Sequence, residues 1–358
     1  MVPALVAAIL LQVGLGPSQP MAYDAFARQR VQVAEGVWLI HRPVPTEAPF
    51  EGNTIVFEQS QALVVIDAGG SPIAGKHIVE HIKSISSKPV KFLVYTHYHG
   101  DHNLGAGALL ESWPDLVTIS TEKTRANMTG PPMKYIASYD KSYAGMIEFG
   151  RERQKNLSLP ASEREGWRRF VEAGPSMLSG YANLKVFPAS LTFDDRLNLA
   201  DDQMPLELRF LGRANTDGDL VVWAPKPRIL VAGDIVVHPI PYASACYLEE
   251  WQAVLTRIRN FDFAQLVPGH GEIQKDREYL DRLIAVLGDV RAQVRPMVNK
   301  GMTLEAILKA VDRKALRSRF VTEEDGWGRF LINAVFIEDL IKNAYKEAKG
   351  EPIVQGGG

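Results

Sequence analysis

Residues 96–102 carry the side chains best suited to chemistry in this chain, and they read Thr-His-Tyr-His-Gly-Asp-His. Alternate residues of an extended chain point the same way, so His97 and His99 can converge on one point. Beyond the glycine, Asp101 and His102 can converge on a second point nearby. Because neutral imidazoles and carboxylates suit a zinc-like divalent ion, this segment predicts a metal site.

A metal held by this segment alone would lack ligands, and two other predicted strand ends offer them. Asp234 follows a glycine after the apolar run 229–232, and His270 follows Pro-Gly after the run 265–267. Small residues at these places let each strand end turn sharply and present one side chain. We therefore predict that Asp234 and His270 complete the metal site.

The elements that must position these residues are short apolar runs separated by turn residues. The run 92–95, directly before the histidine-rich segment, predicts a buried strand. The other predicted strands are 37–40, 54–57, 62–66, 117–119, 191–193, 206–210, 220–223, 229–232 and 265–267. The predicted helices are 72–86, 104–112, 250–259 and 327–346, and Thr303 is the predicted N-cap of a further helix.

Two long segments depart from this alternation. Residues 121–185 have charged and aromatic residues at helical spacing and few β-branched runs, so we interpret them as a helical insertion. Its role is either extra packing or a wall or lid over the metal cleft. Residues 276–349 have apolar residues at three-to-four spacing, which predicts a C-terminal helical extension packed on the same domain.

With these motifs the chain resembles the metallo-β-lactamase superfamily over residues 31–275. The resemblance implies an α/β fold of the αββα type, in which two mixed β-sheets are flanked by helices and metals lie at one edge. It implies that His97 and His99 bind a first metal. The residues implied for a second metal are Asp101, His102 and His270. Asp234 would bridge both metals, as in the glyoxalase II-like and lactonase-like branches, and Asp67 would orient a ligand histidine.

One position departs from that family's pattern. The third histidine of the first site normally lies in a Gly-x-x-His-Thr-x-Gly-Asp loop, and here residues 212–219 place Asn215 there. An amide oxygen is a weaker donor to zinc than an imidazole nitrogen. We therefore predict one tightly bound zinc ion at the second site and a weaker, exchangeable ion beside it. Manganese and iron are alternatives to zinc.

The resemblance implies a metal-dependent hydrolase, in which metal-bound hydroxide cleaves an ester, thioester, lactone or lactam of a small organic substrate. Asp101 would orient the hydroxide, and Tyr242 could donate a hydrogen bond to an oxyanion. His238 could line the pocket, although both His238 and Tyr242 could equally be loop residues without a catalytic role. A true β-lactamase is disfavoured by Asp234. The alternatives are a non-catalytic or degenerate metal- or ligand-binding protein and a diiron redox member.

Composition limits the partners of this chain. Its 358 residues carry 40 basic and 42 acidic side chains, for a net charge of −2. This balance argues against a nucleic-acid partner. The long helical insertion and the C-terminal helices favour a small organic substrate in a covered cleft. Residues 3–15 are almost wholly apolar but too few to span a membrane, so we predict an export signal at 1–20 and a periplasmic or secreted protein. A frayed terminus or a misassigned start, with a cytoplasmic protein, is the alternative.

Three further residues could be mistaken for functional ones. His77 and His81 are one helical turn apart, which mimics a metal-binding pair, but they lie on a predicted amphipathic helix to which no other ligand points. We interpret both as structural. The single cysteine, Cys246, is interpreted as a small buried hydrophobe.

Overall fold

Two β-sheets form the centre of the molecule. The structure is a computed structural model that describes residues 24–356, so the predicted export signal at 1–20 lies outside the described residues. Each sheet contains both parallel and antiparallel neighbours. Within the described part of the chain, none of the helices combines the length and apolarity needed to cross a bilayer.

The first sheet has seven strands that lie side by side in chain order. They are β1 (Gln29–Ala34), β2 (Val37–His41), β3 (Thr54–Glu58), β4 (Leu63–Ile66), β5 (Val90–Val94), β6 (Val117–Thr121) and β7 (Leu191–Phe193). Neighbours from β1 to β4 are antiparallel, and neighbours from β4 to β7 are parallel. The histidine-rich segment leaves the end of β5, near the middle of this sheet.

The second sheet supplies the other predicted ligands. Its five strands are β8 (Arg196–Leu199), β9 (Leu206–Phe210), β10 (Leu220–Ala224), β11 (Ile229–Val237) and β12 (Gln265–His270), in the spatial order β12-β11-β10-β9-β8. Strands β11 and β12 are parallel, and the other pairs are antiparallel. The predicted strand ends at 232 and 267 are wrong, because β11 continues to Val237 and β12 to His270. Asp234 therefore lies within β11 and His270 ends β12, at neighbouring positions of one sheet.

The core explains the continuous apolar runs of the sequence. In β4, Val64 and Ile66 point into the cluster between the two sheets, whereas Leu63 and Val65 point into the cluster beneath the outer helices. A strand covered on both faces needs apolar residues at every position rather than at alternate ones. Helices cover the outer face of each sheet. The predicted αββα arrangement of two mixed sheets flanked by helices is therefore confirmed.

Twelve α-helices are described within residues 24–356. They are α1 (Pro72–Ile85), α2 (Gly100–Asn103), α3 (Ala106–Ser112), α4 (Glu122–Thr129), α5 (Tyr139–Lys155), α6 (Ala161–Gly180), α7 (Leu248–Arg259), α8 (Glu278–Asn299), α9 (Leu304–Ala310), α10 (Arg313–Arg317), α11 (Gly326–Ile332) and α12 (Glu338–Lys349). Helices α1 and α3 pack on the first sheet, and α7 and α8 pack on the second. The Thr303 hydroxyl caps α9 by accepting a hydrogen bond from the Ala306 amide, as predicted.

Three elements differ from the sequence-based expectations. Strands β1 and β8 are not predicted by the apolar pattern. The helix expected over 327–346 is interrupted by a π-helical turn, Asn333–Ile337, between α11 and α12. The segment 121–185 contains α4, α5 and α6 together with a 3₁₀ helix, Pro131–Ser138.

Candidate metal centre

The first donor group contains His97, His99 and Asp234, which are all buried. The Nε2 atom of His97 lies 3.0 Å from His99 Nδ1 and 3.7 Å from Asp234 Oδ2. The two imidazole rings are nearly perpendicular, with centroids 4.7 Å apart. As predicted from their alternate spacing, His97 and His99 converge on one point, and the second sheet adds a carboxylate there.

The second donor group contains Asp101, His102, Asp234 and His270. His102 Nε2 lies 3.1 Å from His270 Nε2 and 3.4 Å from Asp101 Oδ2. Asp234 Oδ1 lies 3.1 Å from His102 Nε2, and Asp101 Oδ2 lies 2.9 Å from His270 Nε2. Asp234 is the residue that belongs to both groups, with one carboxylate oxygen nearer to each.

The chemistry of these donors fits a pair of divalent cations. The Nε2 atoms of His102 and His270 face one another at 3.1 Å, and carboxylate oxygens surround them. Hydrogen bonds among these atoms satisfy few of them. The buried Oδ1 of Asp234 and Nε2 of His99 have no hydrogen-bond partner within the described structure. Buried polar atoms normally have partners, and a cation between them would supply one.

Asp67 holds His102 in place, in agreement with the role implied by the family resemblance. Its Oδ2 lies 2.8 Å from His102 Nδ1, so the opposite ring nitrogen faces the second donor group. The Thr96 amide and hydroxyl each donate a 2.8 Å hydrogen bond to the Asp67 carboxylate. This carboxylate therefore fixes both the ring orientation of His102 and the start of the histidine-rich segment.

Charge and burial have opposite effects on the pKa values of the residues in the site. Burial alone would lower the pKa of His102, but Asp101, Asp234 and Asp67 outweigh it and raise that pKa well above its ordinary value. Burial alone would raise the pKa of Asp234, but His102 and the other nearby histidines outweigh it and lower that pKa. The buried carboxylates thus require nearby positive charge, which metal ions would also provide.

Asp234 reaches both groups because the backbone of β11 bends next to it. Gly233 has a φ of 51°, and a Cβ there would lie 2.7 Å from the Thr96 side chain. The β11–β12 pairing shifts register at this glycine. Glycine is therefore required both by the left-handed backbone and by the close approach of Thr96.

Asn53 holds the loop that carries His270, and our sequence analysis missed it. The Asn53 side-chain amide donates to the carbonyl oxygens of Pro268, at 2.9 Å, and Gly271, at 3.0 Å. Its backbone amide donates to the Gly269 carbonyl at 2.6 Å. The signal in the sequence is a polar Glu-Gly-Asn triplet, 51–53, directly before an apolar strand.

Asn215 is fully buried, and neither its amide oxygen nor its amide nitrogen has a hydrogen-bond partner in the described part of the chain. An amide in this state needs a bound ligand or an ordered water to satisfy its polar atoms. Its binding to the first metal, and the resulting weaker affinity there, remain predictions.

An apolar cavity of about 190 Å³ opens directly beside both donor groups. His99, Asp101, Asp234 and His270 form its metal-facing side. His238 and Tyr242 also line the cavity. Their placement agrees with the prediction that they line a pocket, while the catalytic role of Tyr242 remains a prediction.

The helical segment 121–185 forms a wall of the same cavity through Tyr139 and Tyr143. The two hydroxyls lie 3.4 Å apart, and the ring of Tyr181 packs against both rings. We did not predict these residues, although Tyr135, Tyr139 and Tyr143 recur every four positions and so share one helical face.

The residues interpreted as structural have structural contacts. On α1, His77 Nδ1 lies 3.2 Å from the Phe26 carbonyl and His81 Nε2 lies 3.3 Å from the Arg28 carbonyl. Neither belongs to a donor group. Cys246 is buried, and burial raises the pKa of its thiol, so it is a poor nucleophile.

The sequence profile described as the metallo-beta-lactamase superfamily matches residues 48–270, which is more than half of the chain. The chain belongs to this superfamily. The matched region contains both donor groups. The match assigns the chain, in general terms, to the hydrolases of this superfamily.

Comparisons with individual proteins add two kinds of relative. A linear primary-alkylsulfatase of Pseudomonas sp. is 22% identical over 277 residues, which cover 72% of this chain and 49% of that protein. A type 2 metallo-beta-lactamase of Bacillus cereus is 22% identical over 229 residues, which cover 62% of this chain and 67% of that protein. The chain therefore spans about half the length of the alkylsulfatase.

A solved structure of a stereoselective inverting sec-alkylsulfatase from Pseudomonas sp. superposes with a TM-score of 0.59. The identity is 15%, and the match covers 89% of this chain and 50% of that chain. At this level of identity the likeness shows the fold alone.

Proposed function

We propose that this protein is a zinc-dependent hydrolase that cleaves a carbonyl-type bond of a small organic molecule. Candidate bonds are those of an ester, thioester, lactone or lactam. The observation that carries the proposal is the cavity that opens on both donor groups at once. A substrate in this cavity would present its reacting bond to the metal ligands while the rest of the molecule packs against apolar walls.

The residues of the chain have distinct roles in this proposal. When bound, the metal ions supply a hydrolytic nucleophile near neutral pH and polarise the bond to be cleaved. Asp101, whose side chain is 25% exposed, orients the attacking water. Tyr242 lines the cavity, and because burial raises its pKa, its hydroxyl remains protonated at neutral pH and can donate to a developing oxyanion.

The test is hydrolysis by metal-depleted protein to which zinc has been restored, with a phenyl ester, a thioester, a lactone and a cephalosporin as substrates. We expect turnover of at least one substrate. The His270→Gln variant should lose about a hundredfold or more, because the second group loses an imidazole ligand. His77→Gln, which changes a histidine outside both groups, should retain the activity of the unaltered protein.

Other outcomes would identify the alternatives. Firmly bound zinc without turnover of any substrate would indicate a non-catalytic metal-binding member of the superfamily. Purified protein that is coloured and contains two iron ions per chain would indicate a redox function instead.

Hydrolysis of an alkyl sulfate ester is the second candidate function. It is favoured by the similarity to the linear primary-alkylsulfatase, which extends over 72% of this chain. Octyl sulfate and phenyl octanoate carry the same number of carbon atoms in the chain but different reacting groups. Release of sulfate from octyl sulfate, without cleavage of phenyl octanoate, would establish the second candidate and exclude the carbonyl-type reaction for this pair.

A further inference from the structure

We propose that the cavity beside the metal centre binds an uncharged apolar group of the substrate, an inference that rests on the proposed function. This group would be the size of a benzene ring or a short alkyl chain. We further propose that Leu331 and Val335, in the C-terminal extension, determine how large that group can be.

The volume of the cavity limits the size of its occupant. A dry apolar cavity of ~150 Å³ can hold a benzene molecule, and the cavity here measures about 190 Å³. A ring or a chain of about six carbon atoms therefore fits within it. Larger bicyclic groups would require the walls to move.

The walls are mostly apolar and carry no lysine or arginine among the described residues. Their apolar and aromatic residues include Phe50, Tyr143, Ile240 and Leu331. Among the described residues that line the cavity, none is a lysine or an arginine. A substrate with a second carboxylate, directed away from the metals, would lose its hydration without gaining an ion pair, which is unfavourable.

The C-terminal wall is joined to the loop that carries Tyr242. The carbonyl oxygen of Val335, within the π-helical turn Asn333–Ile337, accepts a 2.9 Å hydrogen bond from the Ala243 amide. Leu331 is buried on the preceding turn. A π-helical turn widens a helix locally and is frequent at functional sites. Here the hydrogen bond joins the backbone at Val335 to the loop that carries Tyr242, and Leu331 lies one helical turn before Val335 on the same wall.

The substrate test compares phenyl hexanoate with monophenyl adipate, which has the same chain length but ends in a carboxylate. We expect kcat/KM to be about tenfold to a hundredfold lower for the adipate half-ester. The Val335→Lys variant adds a cation to the wall and should raise the relative rate for the adipate. Val31→Lys, on the exposed strand β1, adds the same charge outside the site and should not change the ratio.

A second pair of substrates tests size. Val335→Ala should enlarge the cavity and raise the preference for phenyl octanoate over phenyl butanoate. If Val335→Lys does not fold, the Val335→Ala variant and the ratio of the hexanoate and adipate rates of the unaltered protein still test the proposal. An unchanged chain-length preference in Val335→Ala, or equal rates for the hexanoate and the adipate half-ester, would overturn the proposal.

A binding measurement separates this proposal from the proposed function. Calorimetric titration of the zinc-loaded protein with 1-hexanol and with 1,6-hexanediol, whose second hydroxyl makes its far end polar, needs no turnover. Preferential binding of 1-hexanol that is weakened in Val335→Phe, without hydrolysis of any ester, would support the cavity and contradict the hydrolase. Equal binding of both compounds, together with ester hydrolysis, would contradict the cavity and support the hydrolase.

Discussion

At the scale of single residues, Asn215 is the position where this chain departs from its superfamily's pattern. It is fully buried, and its two amide atoms lack partners among the described residues, so a metal, a substrate or an ordered water would satisfy them. Replacing it with histidine should strengthen binding of the weaker metal, because imidazole is the better zinc ligand. We expect one zinc ion per chain to survive mild chelation in the unaltered protein and two in Asn215→His, as measured by elemental analysis. Two equally retained ions in the unaltered protein would contradict the prediction.

A substitution of Asp67 tests the role of the residues that hold the candidate metal ligands in place. Its φ of 60° is tolerated by asparagine, so Asp67→Asn preserves the backbone while weakening the hydrogen bond to His102 Nδ1. Loss of such a partner typically lowers metal affinity by about 10–100-fold. Zinc titration against a competing chelator measures this change. The matched control is Asp201→Asn, since the Asp201 carboxylate also accepts backbone hydrogen bonds but lies outside both donor groups.

At the scale of elements, the site depends on how Asn53, which immediately precedes β3, holds the turn that ends β12. Asn53→Ala leaves the carbonyl groups of Pro268 and Gly271 without their side-chain donor. We expect a loss of stability of about 1–3 kcal/mol and weaker retention of the metal bound by His270. Denaturant unfolding and metal analysis measure the two effects.

Gln59→Ala is the control for Asn53→Ala. The Gln59 side-chain amide is buried and donates a 2.9 Å hydrogen bond to the Met204 carbonyl, outside both donor groups. This variant should lose stability but retain its metal. If the two variants lose metal equally, Asn53 acts through stability alone and does not position His270.

The elements that the sequence predicted are those with a strong burial signal. Strand β4 is buried at every position, so its apolar run is unambiguous, whereas β1 has the burial of an exposed edge and reads as Gln-Arg-Val-Gln-Val-Ala. Strand β8 is similarly polar. Edge strands depend on pairing rather than burial, so composition does not reveal them.

The same contrast applies to the site. The candidate ligands were predictable because imidazoles and carboxylates stand beside glycines at or just after apolar runs, and the structure brings all six together. The residues of the cavity walls were not predictable from the sequence, because Tyr143 and Leu331 are far apart in the chain and come together only through tertiary packing. The π-helical turn that presents Val335 also has no simple sequence pattern.

At the scale of the whole molecule, the metal centre joins the two sheets. Four candidate ligands lie on the segment that follows β5 of the first sheet, and two lie in strands β11 and β12 of the second: His97, His99, Asp101 and His102, then Asp234 and His270. Ions bound between them link the two halves in the folded state only. Zinc at a hundred times its dissociation constant should therefore stabilise the folded protein by about 2.7 kcal/mol per tightly bound ion.

This link predicts a graded response to ligand removal. The difference in thermal midpoint with and without zinc should be large in the unaltered protein and smaller in His99→Gln, which damages one donor group. It should be smallest in Asp234→Asn, because Asp234 belongs to both groups and is the ligand of the second sheet to the first metal. A zinc-dependent shift in Asp234→Asn equal to that of the unaltered protein would show that the ions do not bind between the sheets. Such a result would place the metal on the histidine-rich segment alone, and the shared carboxylate would then be stabilised by its charge interactions with His102 and His97 rather than by cations.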